Sequence, residues 1–124
     1  MTKVKFHQDH AWIRMEGEIG VIGISHYAQE QMGKIIYVEL PEPGTESIAG
    51  EPLGALESSK VTSDLMAPVS GEVVESNPAL EDEPTLVNDS PYDRGWITRV
   101  RLKNPAEFDA LMEEDTYLAR VTPN

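Results

Sequence analysis

Cysteine is absent from this sequence, and its absence excludes several kinds of function. None of the 124 residues is Cys, so the chain has no disulfide bridge, no thiolate metal site and no cysteine nucleophile. At this length we expect a conventional hydrophobic core that needs no support from disulfides or a structural metal. We therefore predict one domain that spans residues 1–124.

Long hydrophobic runs are also missing. No stretch approaches the roughly 18 consecutive apolar residues that suggest a membrane-spanning helix. Residues 1–10 contain no apolar run of the secretory type, and they are not the Arg- and Ser-rich, acid-poor sequence of an organellar transit peptide. Hydrophobic residues make up 40% of the chain and charged residues 26%, as in ordinary globular proteins. We expect a cytoplasmic protein.

Positive charge is scarce. The chain has 10 Lys and Arg residues against 22 Asp and Glu residues, which gives a formal net charge of −12. This balance argues against nucleic acid or an anionic membrane as partners, because both attract basic surfaces. It favours protein partners with positive docking patches. The alternative, that the charge only keeps a small protein soluble, remains open at this point.

Short apolar segments separated by turns predict a mainly β domain, closed or sandwich-like, with small peripheral helices. The predicted strands cover residues 4–6, 12–15, 19–24, 34–40, 53–56, 65–69, 71–75 and 96–103. In the segment 34–40, alternation predicts one apolar face formed by Ile36, Val38 and Leu40.

Start and stop signals predict a short helix near 26–32. Ser25 can cap its first turn, and Gly33 supplies the left-handed residue that ends it. Residues 80–92 are predicted to form an ordered loop with one turn of helix, since Pro84 and Pro91 interrupt any longer element.

A C-terminal helix is predicted from a second set of signals. Asn104 is a good N-cap, Pro105 suits the first helical position, and Glu107 can reach back as in a capping box. Apolar residues then follow at helical spacing, namely Phe108, Leu111 and Met112.

Lys60 is the only Lys or Arg between Lys34 and Arg94. The same stretch carries thirteen carboxylates, which are Glu39, Glu42, Glu46, Glu51, Glu57, Asp64, Glu72, Glu75, Glu81, Asp82, Glu83, Asp89 and Asp93. Lys60 lies between two strand-like segments, at a predicted hairpin tip, where a lysine is easily reached and can be modified. An isolated lysine in a polar turn is more often only a solvated charge, so its neighbours must decide.

Several chemistries can be set aside. A phosphate-binding loop requires glycine before the lysine and a hydroxyl after it, but Ser59 and Val61 occupy these positions. A Schiff-base lysine needs burial or a nearby cation to lower its pKa, and Lys60 has no nearby cation in sequence. His7, Asp9 and His10 have a spacing compatible with a metal, although two solvated histidines are the simpler interpretation. The chain is typical of a protein that carries a reactive group rather than catalysing a reaction.

The residues around Lys60 resemble the lipoyl-attachment region of the glycine cleavage system H protein family. The similarity includes Glu57-Ser58-Ser59-Lys60, Ser63-Asp64-Leu65 and Ala67-Pro68-Val69-Ser70-Gly71-Glu72-Val73. It extends along the chain to His10-Ala11-Trp12, Gly23-Ile24-Ser25-His26-Tyr27-Ala28-Gln29, Val38-Glu39-Leu40-Pro41, Leu86-Val87-Asn88 and Gly95-Trp96. Biotin carriers typically have methionines beside the lysine, so Ser59 and Val61 favour lipoate.

The resemblance implies a lipoyl/biotinyl-type barrel-sandwich hybrid of short antiparallel strands, with lipoic acid in amide linkage to Lys60. It implies a non-catalytic carrier of an aminomethyl group and reducing equivalents. The implied partners are a pyridoxal-phosphate glycine decarboxylase, a tetrahydrofolate-dependent aminomethyltransferase, dihydrolipoamide dehydrogenase and a lipoate-attaching enzyme. No catalytic residue and no metal is expected.

The resemblance also suggests residues that hold the loaded arm. Asp64 matches an acidic position of the family, Glu57 lies close to the lysine in sequence, and Asp9 is a further candidate. Family members usually carry glutamate just before the first tryptophan, but this chain has Ala11. We therefore expect either weaker protection of the loaded group or protection by another contact, such as Asp9.

Three alternatives to this function remain. The chain would act as a lipoate relay that supplies other lipoyl-dependent enzymes, as an acidic interaction module with unmodified Lys60, or as a lysine-dependent enzyme.

Overall fold

The computed structural model describes residues 4–121. Its strands are β1 (Val4–Phe6), β2 (Ala11–Glu16), β3 (Ile19–Ile24), β4 (Ile35–Glu39), β5 (Glu46–Ser47), β6 (Pro52–Ser58), β7 (Thr62–Met66), β8 (Gly71–Ser76), β9 (Thr98–Leu102) and β10 (Met112–Glu113). Its helices are α1 (His26–Met32), α2 (Ala79–Asp82), α3 (Leu86–Asp89), α4 (Ala106–Asp109) and α5 (Glu114–Val121).

The strands form two antiparallel sheets. The larger has seven strands in the order β10-β1-β2-β3-β9-β8-β5, and the smaller has three in the order β4-β6-β7. The sheets do not close into a single barrel, which is the arrangement of a barrel-sandwich hybrid. The predicted fold class is confirmed.

One hydrophobic core joins the two sheets. Ile13 and Ile22 of the larger sheet pack in the same cluster as Leu56 and Leu65 of the smaller sheet, and each is at most 1% exposed. Trp12 is also buried, although neighbouring residues of a strand point to opposite faces. It belongs to a second cluster with Phe6, Val21 and Tyr117 of α5. Both faces of the larger sheet are therefore covered at this point.

Local signals placed β3 and α1 correctly. The predicted strand 19–24 coincides with β3. At α1, the Ser25 hydroxyl accepts a hydrogen bond from the Ala28 N–H at 3.1 Å, and Gly33 ends the helix with φ of 83°. Caps satisfy the orphan backbone groups of a helix end within a few residues, so they can be predicted from sequence alone.

The predicted C-terminal helix is wrong as a single element. Asn104 accepts a hydrogen bond from the Ala106 N–H at 3.2 Å, but α4 ends after one turn. Residues 112 and 113 then pair with the edge of β1, and α5 follows. Glu107 does not cap its own helix, because it accepts hydrogen bonds from the Ser70 backbone N–H at 2.7 Å and hydroxyl at 3.1 Å.

The predicted apolar face of the segment 34–40 is also wrong. Ile35 is fully buried and Val38 is 4% exposed, whereas Ile36 and Tyr37 are 48% and 57% exposed. The pairing of β4 with β6 shifts register between Ile35 and Tyr37, as in a β-bulge, and the bulge breaks the strict alternation of faces.

Residues 79–92 contain two short helices, α2 and α3, rather than the predicted loop with one turn over 80–92. Leu80, Leu86 and Val87 anchor them in the core. Within residues 4–121, none of the helices has the length and apolar character needed to cross a membrane.

Candidate functional site

Lys60 lies at the tip of the hairpin formed by β6 and β7, as predicted. The last strand pair joins Glu57 to Thr62, which leaves Ser58 to Val61 to turn the chain. Lys60 is exposed. Among residues 4–121, no carboxylate lies within ion-pair distance of its ammonium group.

The backbone of the turn is fixed by one side chain, that of Ser58. Its hydroxyl oxygen accepts hydrogen bonds from the N–H groups of Lys60 and Val61, both at 3.1 Å. The Ser58 N–H donates to the Val61 carbonyl at 2.8 Å. Ser58 is 5% exposed, so the turn that presents the lysine has a buried anchor. Sequence reasoning missed this role, although a serine two residues before a turn residue is a known turn signal.

The Lys60 side chain lies against the end of α1. A Cβ atom built on Gly33 would stand 3.1 Å from Lys60 Cε and 3.5 Å from Nζ. Because glycine has no side chain, the stem of the lysine passes directly over the helix end.

Asn88 of α3 anchors that helix end. Its amide group donates to the Gly33 carbonyl and to Gln29 Oε1, both at 2.8 Å. Its carbonyl oxygen accepts from the Ile35 N–H at 2.9 Å. One side chain thus joins α1, β4 and α3, so the surface beneath Lys60 is held from three elements.

An open groove begins beside Gly33 and has a volume of about 550 Å³. We call it the α1–α3 groove. It is lined by Gln29, Glu30, Gly33, Lys34, Thr85, Asn88 and Asp89. Polar groups dominate this lining, so it suits the polar part of a tethered group better than an apolar ligand.

Two of the predicted arm-docking residues come together. Glu57 pairs with Thr62, and Asp64 pairs with Ala55, so both carboxylates lie on the outer face of the three-stranded sheet. Asp9 instead lies before β2 in the other sheet, where its backbone N–H donates to His7 Nδ1 at 3.0 Å.

Ala11 lies in the core, 1% exposed, and pairs with Ile24. Ala11 shares its hydrophobic cluster with Leu56 and Leu65 of the hairpin strands. Among residues 4–121, the contacts of Asp9 are with His7, and no hydrogen bond or ion pair joins it to the hairpin, to which Glu57 and Asp64 belong.

A buried polar network behind α1 was not predicted. Tyr117 of α5 joins the Ser25 hydroxyl at 2.6 Å and His10 Nδ1 at 2.8 Å. Burial lowers the pKa of His10, and Arg120 and His7 act in the same direction while Asp9 opposes them. Burial raises the pKa of Tyr117. The network ties α5 to the N-cap of the helix on which Lys60 rests.

In the described part of the chain, histidine and carboxylate side chains do not converge into a metal site. Within residues 4–121, no group of three or more such side chains is arranged to hold an ion. His10 and Tyr117 instead serve the network around Ser25.

Comparisons with known proteins decide the family. A model of the glycine cleavage H-protein family matches residues 4–124. The chain belongs to the glycine cleavage H-protein family. Its members are lipoyl carriers in the glycine cleavage system, and this chain is such a carrier component.

Individual glycine cleavage H proteins agree over almost the whole chain. The glycine cleavage system H protein of Symbiobacterium thermophilum is 48% identical over 92% of this chain and 89% of its own. The mitochondrial one of Drosophila melanogaster is 47% identical over 93% of this chain and 70% of its own. The crystal structure of the protein from Mycobacterium marinum superimposes with a TM-score of 0.86 at 32% identity, covering 95% of both chains.

Proposed function

We propose that Lys60 carries the lipoyl group, and that the chain uses it to shuttle an aminomethyl group and reducing equivalents between the enzymes of glycine cleavage. The observation that carries this proposal is the geometry of the tip. Lys60 projects from a turn whose backbone is held by Ser58, so its amine can enter a deep active site while the body stays outside.

The surroundings of Lys60 fit a neutral acyl arm. Amide formation removes one positive charge, which changes the formal net charge from −12 to −13. No ion pair of the described residues has to be broken for this change. The new amide lies at an exposed tip, where water satisfies its hydrogen-bonding groups.

The part of the protein itself is to hold and present the arm. When attached, the lipoyl group supplies a cyclic disulfide that accepts a group on sulfur and can be reduced and reoxidised. Gly33 gives the stem of Lys60 a surface to lie on. The α1–α3 groove continues from that surface, and Glu57 and Asp64 provide carboxylates on the outer face of the hairpin. In this proposal the chain is one non-catalytic domain, 1–124, located in the cytoplasm.

The proposed partners each meet the same arm in turn. They are a pyridoxal-phosphate glycine decarboxylase, a tetrahydrofolate-dependent aminomethyltransferase and dihydrolipoamide dehydrogenase, after a lipoate-attaching enzyme has modified Lys60. A single tip that several enzymes can enter supports this order of use. The acidic surface favours basic docking patches on these enzymes.

Mass spectrometry with two lysine variants tests the proposal. The chain, Lys60→Arg and Lys34→Arg are each treated with a lipoate-attaching enzyme. We expect a lipoyl mass increment on Lys60 in the unmodified sequence and in Lys34→Arg, and none in Lys60→Arg. The lipoylated protein should then stimulate glycine–bicarbonate exchange by the decarboxylase. A lipoyl group on another lysine contradicts the attachment site, and lipoylation without stimulation favours the relay alternative.

A further inference from the structure

Large apolar side chains are exposed around the Lys60 tip. Among the described residues, five large hydrophobic side chains are well exposed, and three belong to this region: Ile36 at 48%, Tyr37 at 57% and Val61 at 48%. Ile48 and Leu118, at 43% and 46%, lie elsewhere. Exposed apolar groups that gather in one place indicate an interaction surface more strongly than scattered ones.

The β-bulge in β4 produces this exposure. A regular strand would turn only one of two neighbouring residues outward, but the register shift between Ile35 and Tyr37 leaves Ile36 and Tyr37 both exposed. Bulges often re-aim side chains beside functional sites. Ile36 and Val61 lie on the two sides of the end of β6, since Ile35 pairs with Ser58 and the Val61 carbonyl accepts from the Ser58 N–H.

Carboxylates share the outer face of the sheet with Tyr37. Tyr37 pairs with Glu57 and Glu39 pairs with Ala55, so Tyr37 and these acids share the outer face of the sheet with Asp64. Lys60 is the only Lys or Arg in residues 35–93. An aromatic and aliphatic centre within a charged rim is the usual anatomy of a protein–protein interface, and tyrosine is often its main contributor.

We propose that Ile36 and Tyr37 form the docking surface for the lipoate-attaching enzyme, which would offer an apolar pocket rimmed by Lys and Arg. This inference rests on the proposed function of Lys60. The short distance between this surface and the reacting atom, Nζ of Lys60, favours the attaching enzyme as the partner. The attaching enzyme must reach Nζ of Lys60 itself and therefore covers the neighbouring side chains. The enzymes of glycine cleavage meet sulfur atoms at the far end of the acyl arm.

The reaction at this surface is an acyl transfer without oxidation or reduction. The Lys60 ammonium first loses a proton to a base of the enzyme or to solvent. The amine then forms a C–N bond to the carbonyl carbon of an activated lipoyl donor, an acyl phosphate-type anhydride or thioester. The bond from that carbon to the leaving group breaks as the leaving group takes the electron pair, and the nitrogen releases a second proton to a base or to the leaving group, which gives the neutral amide. Docking positions the amine for this attack.

Steady-state lipoylation kinetics test the surface. The paired substitution Ile36→Ser with Tyr37→Ala should raise the KM for the chain about tenfold or more, as for the loss of roughly 1.4 kcal/mol of binding, with kcat little changed. Ile48→Ser is the matched control, because Ile48 is similarly exposed but precedes the base of the hairpin. It should leave KM within about twofold. Tyr37→Phe should retain most of the wild-type KM, since the ring supplies the apolar contact.

Three results would overturn the docking surface. The first is wild-type KM in the paired variant, and the second is an equal rise in KM for Ile48→Ser. The third combines two measurements on the paired variant: its lipoylation is unchanged, but after lipoylation its KM in the decarboxylase exchange assay is raised. That result would assign the surface to the decarboxylase. Failure of the unmodified sequence to be lipoylated at all would instead contradict the proposed function, so the two failures are distinguishable.

Discussion

The side chain of Lys60 lies against Gly33, where a methyl group would stand only 3.1 Å from Lys60 Cε. The two residues come from different elements, the β6–β7 tip and the end of α1. The contact gives the stem of the lysine a defined starting direction toward the α1–α3 groove. It also links the position of the proposed arm to the helix that Ser25 and Asn88 hold in place.

Replacement of Gly33 should move the lysine. Gly33 and Gly50 both have positive φ, 83° and 84°, but a Cβ at Gly50 would meet nothing within 4 Å. Gly33→Ala and Gly50→Ala should therefore each lose about 1–3 kcal/mol of unfolding free energy, because residues with a side chain rarely adopt this φ. Only Gly33→Ala should shift the NMR resonance of Lys60 Cε. An unchanged Cε resonance would show that the contact does not persist in solution.

Removal of the Ser58 hydroxyl should loosen the tip. Ser58→Ala deprives the N–H groups of Lys60 and Val61 of their acceptor, at a cost of about 1–3 kcal/mol where these groups are shielded from water, and less where water replaces the serine. Amide hydrogen exchange at these two residues should accelerate. Ser59→Ala is the control, because Ser59 is an exposed neighbour in the same turn. Equal exchange rates in the two variants would argue against the role of Ser58.

Removal of the Tyr117 hydroxyl should lower the free energy of unfolding even when the packing of the ring is kept. Tyr117→Phe retains the stacking on Phe6, whose ring centroid lies at 4.4 Å, but removes the partner of Ser25 and His10. We expect a loss of about 1–2 kcal/mol in chemical denaturation, because buried polar groups lose a hydrogen bond. Tyr37→Phe, at an exposed site, should change stability by much less. A loss of equal size in both variants would contradict the network.

Stability should fall in mildly acidic solution because of His10. Burial, the largest cause, holds the pKa of His10 below its ordinary value of 6.5, so the unfolded chain binds a proton more readily than the folded one. The free energy of unfolding therefore decreases as pH falls through 6.5 toward the lower pKa of the folded state. His10→Asn should remove this part of the pH dependence, and asparagine tolerates the positive φ of 79° at this position. An identical pH profile in the variant would contradict the assignment.

Features encoded by short stretches of sequence were predictable. The limits of β3, the caps of α1 and the position of Lys60 at a hairpin tip depend on residues within a few positions of each other. The isolation of Lys60 among carboxylates and the motifs around it also identified the candidate site. These inferences needed no knowledge of which distant segments meet.

Features that depend on distant segments were not predictable. The edge of β1 recruits residues 112 and 113, which divides the predicted C-terminal helix, and Glu107 is drawn to Ser70 rather than to its own helix. The bulge that exposes Ile36 follows from pairing with β6.

The turn that presents Lys60 is held by its own Ser58, since residues 58–61 supply both the donors and the acceptors of the hydrogen bonds that shape its backbone. Because the loop depends on its own residues, we expect it to keep its conformation when it replaces the turn of a hairpin in an unrelated protein. Ile36 and Tyr37 come from the adjacent strand and would be left behind. A loop inserted without these residues would keep the geometry of the lysine turn but lack the surface by which a modifying enzyme is proposed to recognise it.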